Sequence, residues 1–105
     1  MAIKKGLKFD KGKPPLSMIP RVALEEEAKV FAFGAEKYGR DNFKLGMEWT
    51  RVIDAALRHI YAFSSKEDND KESFLKHLGH ARACLAMLLY YEKYKKGIDD
   101  RYKDE

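Results

Sequence analysis

Hydrophobic residues recur along this chain mainly at the three- and four-residue spacing of amphipathic α-helices. The pattern predicts a first helix over residues 20–38, a second from the cap Thr50 to about residue 63, and a third over residues 72–95. The sequence has no clean alternation with a period of two and no hairpin turn pair, so it does not favour β-strands. It therefore predicts an all-α fold, a small bundle of three main helices.

The third predicted helix is apolar around most of its circumference. Its main stripe is formed by Phe74, Leu78, Ala81, Leu85, Leu88 and Leu89. A helix of this kind is usually enclosed by other helices, and three helices of one chain are too few to enclose it. We therefore expect a homo-oligomer that completes the bundle, with this helix at its centre.

A basic arm precedes the helices, and a charged tail follows them. Residues 1–20 hold all three prolines and five lysines, which predicts an extended segment that Leu16, Met18 and Ile19 pin to the helical body. Its positive charge would attract phosphate, and a solvated tail that keeps the protein soluble is the alternative. The tail, residues 97–105, is expected to be frayed.

Length and composition fit one soluble domain. The 105 residues are 45% hydrophobic and 36% charged, with a net charge of +4, so residues 1–105 are expected to form a single α-helical domain. No apolar run is long enough to span a membrane, and the first residues lack the apolar stretch of a signal peptide. The single cysteine, Cys84, suits a reducing compartment, so we expect a cytoplasmic protein with no membrane partner.

The three histidines are the first candidates for chemistry. His77 and His80 are about one helical turn apart and can point at one site, and His59 lies on the inward face of the second helix. Three imidazoles can hold a transition metal or, if protonated, bind a phosphate with help from Arg58 or Arg82. The alternative is that each ring fills space and forms its own hydrogen bond, and the sequence leaves these possibilities open.

Acidic residues offer a second possible site, because magnesium prefers carboxylate oxygens together with the phosphates of a substrate. Glu25 and Glu26 lie in the first turns of the first helix, where they stabilise the positive end of its dipole. Glu27 is closer to the apolar face, and Asp54 of the second helix could join it, so these two are the catalytic candidates. The sequence has no glycine-rich Walker loop, Cys-x-x-Cys or His-Asp pair.

Several motifs occur together in a fixed order: FDKGKP, LSMIP, FGAEKYGRDNF, GMEW, ALRHIYAF and HLGHA. Over roughly residues 7–90 the chain resembles a phage and bacterial domain named for the N-terminal part of dATP/dGTP diphosphohydrolases. The resemblance implies a helical domain encoded by a phage or prophage and associated with purine deoxynucleotide metabolism in the cytoplasm of a bacterial host. Similar all-α nucleoside triphosphate pyrophosphohydrolases oligomerise and hold magnesium with carboxylates on their helices.

Twelve positions match the pattern of the resembled domain. They are Lys13, Lys37, Tyr38, Gly39, Asn42, Trp49, Arg58, His59, Asp70, Ser73, His77 and His80. The carboxylate pattern of the pyrophosphohydrolases is altered here, because Val30 stands in place of a carboxylate. His77 and His80 stand where a further acidic pair is expected.

We therefore interpret the chain as a purine (deoxy)nucleotide-binding protein. In the enzymatic form of this hypothesis it is a metal-dependent pyrophosphohydrolase that releases a monophosphate and pyrophosphate. The alternative is a non-catalytic protein that sequesters nucleotides or regulates another enzyme. The residues expected to bind the nucleotide are Lys13, Lys37, Tyr38, Asn42, Trp49, Arg58, His59, His77 and His80.

The same hypothesis includes a metal ion and excludes nucleic acid as a partner. His59, His77 and His80 are the expected metal ligands, for magnesium more than for a transition metal, and Glu27 and Asp54 are the expected catalytic carboxylates. Nucleic acid is not expected as a partner, because the aromatic residues follow core periodicity and form no exposed stacking surface.

Overall fold

The computed structural model describes residues 4–104, so the first three residues of the arm and the last residue of the tail lie outside the described part. The main helices are α1 (Arg21–Tyr38), α2 (Trp49–Ser64) and α3 (His77–Tyr94), and short 3-10 turns lie at Leu16–Met18 and Asn42–Leu45. Residues 4–104 contain no β-strand, only two isolated bridges. The predicted all-α bundle of three helices is confirmed. No helix among these residues is long and apolar enough to cross a membrane.

Helix α3 packs against both α1 and α2, so it lies between them. Its buried residues are three small ones, Gly79, Ala81 and Ala83, and two ring-bearing ones, His77 and Tyr91. A Cβ atom at Gly79 would lie 2.8 Å from the main-chain oxygen of Glu26. Glycine is therefore required there, because the backbones of α1 and α3 approach each other too closely for a side chain.

Of the stripe predicted for α3, Ala81 is buried, but three of its leucines are exposed. Leu78, Leu85 and Leu89 are 45%, 51% and 66% exposed in the single chain. The physical reason is the close approach of α1, which selects the small residues of α3 for the intramolecular contact. Periodicity alone favoured burial of the leucines, because they are larger and more apolar than Gly79 and Ala83.

Helix α3 also begins later than predicted, at His77 and not near residue 72. Residues 65–76 form a loop in which Phe74 adopts a left-handed conformation with a φ of 62°, and this residue is exposed. The backbone N–H groups of the loop and of the start of α3 donate hydrogen bonds to side-chain and main-chain oxygens. Asp70 accepts a hydrogen bond from the Ser73 N–H at 2.8 Å, and His77 N–H donates to Asp68 O at 2.9 Å. A helix over residues 72–76 would break these contacts.

The two termini behave differently from the prediction. Leu16 and Met18 are largely exposed, so the expectation that they pin the arm to the body was wrong. The segment after α3, by contrast, is bonded to the start of α2. Ile98 exchanges backbone hydrogen bonds with Met47 and Trp49, and the Asp100 carboxylate accepts from both the N–H (2.9 Å) and the hydroxyl (2.6 Å) of Thr50.

This attachment has a simple cause. The first N–H groups of any helix lack partners inside the helix, and the predicted cap, Thr50, lies inside α2, which begins at Trp49. Asp100 supplies the missing acceptor from the other end of the chain. The tail is therefore held in place at least as far as residue 100, where the charge pattern had indicated a frayed end.

Candidate functional site

The three histidines converge at one end of the α2–α3 pair. The rings of His59 and His80 stack with centroids 4.4 Å apart and an interplanar angle of 7°. The Nδ1 atoms of His59 and His77 are 2.8 Å apart, the distance of a hydrogen bond. Helix α2 contributes His59 from its inward face, and the first turn of α3 contributes the other two rings.

The loop between α2 and α3 supplies the partners of these rings. His77 Nε2 lies 2.7 Å from a carboxylate oxygen of Glu67. His80 Nε2 lies 2.7 Å from the hydroxyl of Ser73, which is also 2.9 Å from Asp70 Oδ2. Glu67, Asp70, Ser73 and the three histidines therefore form one connected polar cluster, which we call the histidine cluster.

The hydrogen bonds determine which ring nitrogens carry protons. The hydrogen bond from His77 lowers the pKa of Glu67 below its usual value, so Glu67 is ionised at neutral pH and His77 Nε2 must donate to it. In the uncharged form of His77 the proton is then on Nε2, so Nδ1 accepts from the Nδ1–H of His59. The Nε2 atom of His59 is left with a lone pair and takes part in no hydrogen bond within residues 4–104.

The same argument applies to the third ring. Burial raises the pKa of Asp70, but the hydrogen bonds from the backbone and hydroxyl of Ser73 bring it below its ordinary value. The Ser73 hydroxyl therefore donates to an ionised Asp70 and accepts from the Nε2–H of His80. This arrangement leaves Nδ1 of His80 without a proton when the ring is neutral.

Burial keeps two of the rings uncharged. It lowers the pKa of His59 to about 4, with further contributions from the neighbouring His80 and His77, and it also lowers the pKa of His80. Neutral imidazoles offer lone pairs and little positive charge. The cluster is therefore better suited to a metal cation than to a phosphate held by protonated rings.

A metal could be held by three of these residues. Among residues 4–104, the only group of three or more possible ligands is His59, Asp70 and His77, whose ligand atoms all lie within 4.8 Å of one another. The prediction had placed His80 in this group and had not included Asp70. In the structure His80 uses Nε2 to contact Ser73 and does not belong to the group.

A cavity of about 350 Å³ adjoins the cluster between the three helices. Its polar lining is formed by Lys37, His59, Asp70, Glu72 and His80, and its other walls include Val30, Phe33, Tyr38, Cys84 and Met87. A second cavity of about 230 Å³ shares Tyr38 and His80 with the first and adds Arg40 and Asn42. Burial raises the pKa of the Cys84 thiol, so the side chain stays protonated and is not a ready nucleophile.

The other residues predicted to bind nucleotide are not part of these cavities. Lys13 lies on the exposed arm, and Arg58 is exposed on α2. Trp49 donates its indole N–H to Lys96 O at 2.9 Å, and the guanidinium of Arg101 lies 4.9 Å from the centre of its ring. The contacts of Trp49 therefore hold the C-terminal segment in place.

The two predicted catalytic carboxylates are not brought into the metal-binding group. Glu27 lies 3.5 Å from Arg82, whose Nε atom is the one buried side-chain polar atom without a hydrogen bond in the described residues. Asp54 is exposed on α2. Each faces surroundings different from those of the histidine cluster, because the spacing along a helix fixes which side of the bundle a residue occupies.

Sequence reasoning missed Glu67 altogether and included Asp70 and Ser73 only as matching positions. The third helix is predicted to begin at residue 72, inside their loop. The available signal was the Asp70-x-x-Ser73 spacing, since an aspartate that bonds the backbone of a following residue is typical of a turn. Nothing comparable marks Glu67, whose role depends on the tertiary position of His77.

The structure is therefore that of an all-α domain with two imidazoles and a carboxylate beside a cavity between the helices. The family described as "dATP/dGTP diphosphohydrolase, N-terminal" matches residues 4–101, and the chain belongs to this family. A protein of Salmonella phage PMBT28 named dATP/dGTP diphosphohydrolase is 40% identical over 96 residues, which cover 91% of this chain. The matched part is 33% of that protein, so the chain spans about a third of its length. No solved structure matches the chain.

Proposed function

We propose that this chain is a purine deoxynucleotide-binding domain that acts in the hydrolysis of dATP or dGTP to a monophosphate and pyrophosphate. The observation that supports the proposal is the cavity between the helices, which is lined by a lysine, an exposed aromatic ring and two residues of the possible metal site. Its proposed place of action is the cytoplasm of a bacterial host, where these nucleotides are found.

Lys37 is the proposed phosphate ligand. Its ammonium group is 2.9 Å from Glu72 in an ion pair of two well-exposed side chains. Such a pair adds little to stability, so a phosphate can replace Glu72 as the partner of the lysine. The two adjoining cavities share a wall and together fall within the volume range of small-molecule sites.

Tyr38 and Asn42 are the proposed base-recognition residues. Tyr38 is 65% exposed and lines both cavities, so its ring is free to stack on a purine. Asn42 lines the adjoining cavity, and its amide can both donate to and accept from a base edge. The other predicted ligands, Lys13, Trp49 and Arg58, would need a second copy or movement of the arm to take part.

The enzymatic step requires water to attack the α-phosphorus while the bond from that phosphorus to the bridging oxygen breaks. His59, Asp70 and His77 fit a divalent cation, which would lower the pKa of a water molecule and neutralise developing charge. In this chain Lys37 would neutralise the phosphates. His80, with its unprotonated Nδ1, would accept the proton of the attacking water. Ser73 and Asp70 would hold the His80 ring in orientation for this step.

Glu27 and Asp54 keep their predicted catalytic role only in an oligomer. Neither residue lines the two cavities of its own chain, so each would have to approach a nucleotide bound to another copy. We propose that a second copy covers apolar side chains that are exposed on α2 and α3. Leu57, Ile60, Leu85 and Leu89 are all more than two-fifths exposed there, and native mass spectrometry would count the subunits.

The proposal is tested by incubating the chain with dATP or dGTP and Mg²⁺ or Mn²⁺ and separating the products. We expect a monophosphate and pyrophosphate, and at least tenfold weaker nucleotide binding in Lys37→Ala. Lys29→Ala is the matched control, because Lys29 is on the same helix, is paired with Glu26 and lines neither nucleotide cavity. Equal affinities of the two variants would argue against the proposed phosphate site.

A non-catalytic role is the second candidate. It is favoured by the single carboxylate in the metal-binding group, whereas the pyrophosphohydrolases that the chain resembles use several. Recovery of intact triphosphate from a tight, denatured complex, with no product after long incubation, would favour sequestration or regulation over catalysis.

A further inference from the structure

We propose that His59, His77 and Asp70 bind a first-row transition-metal ion, such as Zn²⁺, and that Glu67 positions His77 for this role. This inference deepens the proposed function, because it names the class of metal at the same site. It does not depend on nucleotide binding, since the ligands come from the chain itself.

The donor set argues for this class of metal. Imidazole nitrogen suits zinc, iron, copper and nickel, whereas magnesium takes hard oxygen ligands and keeps much of its water. The group contains two imidazoles and only one carboxylate. Two histidines and one carboxylate with further open positions are a recurrent set in catalytic zinc and non-haem iron sites.

Glu67 provides the outer contact that metal-binding histidines commonly have. A histidine ligand usually donates its second ring N–H to a carboxylate, which fixes its tautomer and orientation. His77 is only 4% exposed, and its Nε2 is 2.7 Å from Glu67. The other nitrogen, Nδ1, is thereby directed at His59 as an acceptor, and a metal ion can take the place of that N–H donor.

Asp70 is also held in position by hydrogen bonds, with one carboxylate oxygen left for a metal ion. Its Oδ2 atom accepts hydrogen bonds from the N–H and the hydroxyl of Ser73, at 2.8 and 2.9 Å. Its backbone N–H donates to Leu75 O at 2.7 Å, so the residue is fixed at both ends. The second carboxylate oxygen, Oδ1, takes part in no hydrogen bond between residues 4 and 104, which leaves it free for a metal.

The metal and the hydrogen bond between the two rings exclude each other. With bonds of about 2.1 Å in a tetrahedral site, two donor atoms lie about 3.4 Å apart. If both Nδ1 atoms are ligands, their present separation of 2.8 Å must grow by about 0.6 Å, and the proton between them must move to Nε2 of His59. These changes need only small rotations of side chains at the end of α2 and the start of α3.

The experiment uses the full chain, freed of metal with a chelator and without nucleotide. Calorimetric titration with Zn²⁺ should give one ion per chain, bound at least about a hundredfold more tightly than Mg²⁺. Co²⁺ should give the intense visible bands of a tetrahedral site with nitrogen ligands. Equal affinity for Mg²⁺ and Zn²⁺ would overturn the choice of metal class.

Variants separate the ligands from the positioning residue. His59→Gln and Asp70→Asn should each weaken Zn²⁺ binding at least about a hundredfold, and the second is the variant with the least change in shape. Glu67→Gln should weaken it by about 10–100-fold with the same stoichiometry. Glu36→Gln, an exposed carboxylate on α1, is the matched control and should bind as the unaltered chain does.

Circular dichroism of each variant would show that the helices are retained. Tight Zn²⁺ binding that survives both His59→Gln and Asp70→Asn would overturn the inference, because the ion would then be held elsewhere. Zinc binding without any nucleotide binding would refute the proposed function and leave this inference intact.

Discussion

The two ends of the α2–α3 pair are both joined by polar contacts, but the contacts differ in kind. At the start of α2, the Trp49 indole, the Thr50 side chain and the Asp100 carboxylate all have partners within the chain. At the opposite end, the histidine cluster has ring nitrogens and a carboxylate oxygen that no hydrogen bond within residues 4–104 uses.

The two ends also differ in electrostatics. Asp100 is exposed and ionised beside a helix N-terminus, an arrangement that stabilises the fold without a further ligand. The cluster instead holds two partly buried rings, His59 and His80, whose pKa is lowered by burial. Burial of such rings is unfavourable unless every nitrogen finds a partner. The comparison teaches that a polar contact between helices is structural when it is complete, and is a candidate binding site when it is incomplete.

The largest expected effect is at the structural end. Gly97→Ala would place a Cβ atom on the main chain of Met47, at a position where φ is 73°. We expect a loss of about 2–3 kcal/mol of unfolding free energy, limited to what docking of the C-terminal segment contributes. Gly6→Ala, where no other atom lies within 4 Å, should be neutral, and urea unfolding would compare the two.

Zinc affinity of folded Gly97→Ala should remain unchanged, because the altered contact is at the far end of α2 from the cluster. A fall in affinity as large as that of a ligand variant would show that the two ends are coupled. Such coupling would contradict the division into a structural end and a binding end.

A smaller effect is expected from pH at the histidine end. The pKa of His59 is about 4 in the folded chain, against an ordinary 6.5, so the unfolded chain binds more protons between these values. Stability is then fully present above pH 6.5 and falls as the pH drops from 6.5 towards 4. After allowance for solvent screening, the loss is on the order of 1–2 kcal/mol.

Urea unfolding at several pH values, with a chelator present, measures this dependence. Carboxylates whose pKa is lowered, such as Asp70, lose their stabilising contribution only below about pH 4. The window above it is therefore assigned to His59 and His80, whose pKa is lowered by burial. His59→Gln should flatten the curve between pH 6.5 and 4.5. An equally steep curve in the variant would mean that other groups carry the dependence.

The smallest effect is expected from the helix cap. Asp100→Ala removes the acceptor of the Thr50 N–H and hydroxyl, so the start of α2 loses a partner and the melting temperature should fall by less than in Gly97→Ala. Asp104→Ala is the control. The pKa of Asp100 is lowered mainly by its hydrogen bonds with Thr50, so its contribution should disappear as the pH falls below about 4.

The convergence of the three histidines was predictable in part from the sequence. The spacing of His77 and His80 and the inward position of His59 indicated that the rings could meet, because these positions follow from helical geometry alone. The start of α3 was predicted one turn too early, because Phe74 is apolar and fits the spacing of the predicted stripe. In the structure, the hydrogen bonds from Ser73 to Asp70 keep that turn out of the helix.

The tail could not be predicted for a different reason. The charges of residues 97–105 are typical of a solvated end. Asp100, which accepts from Thr50 at the start of α2, is 50 residues away along the chain, so the contact leaves no local signal. Glu67 was missed on the same grounds, since a glutamate in a polar loop becomes significant only when a buried histidine lies within hydrogen-bond distance of it.

The sequence by itself determined the all-α fold, the approximate extent of α1 and α2, and the family to which the chain is similar. These properties depend on periodicity and on motifs that are local along the chain. The tertiary structure decided which apolar face of α3 is buried, which carboxylate joins the histidines and where the C-terminal segment binds. Those outcomes depend on how closely two backbones approach and on which distant polar groups form hydrogen bonds with each other. Neither can be predicted from the spacing of residues along one helix.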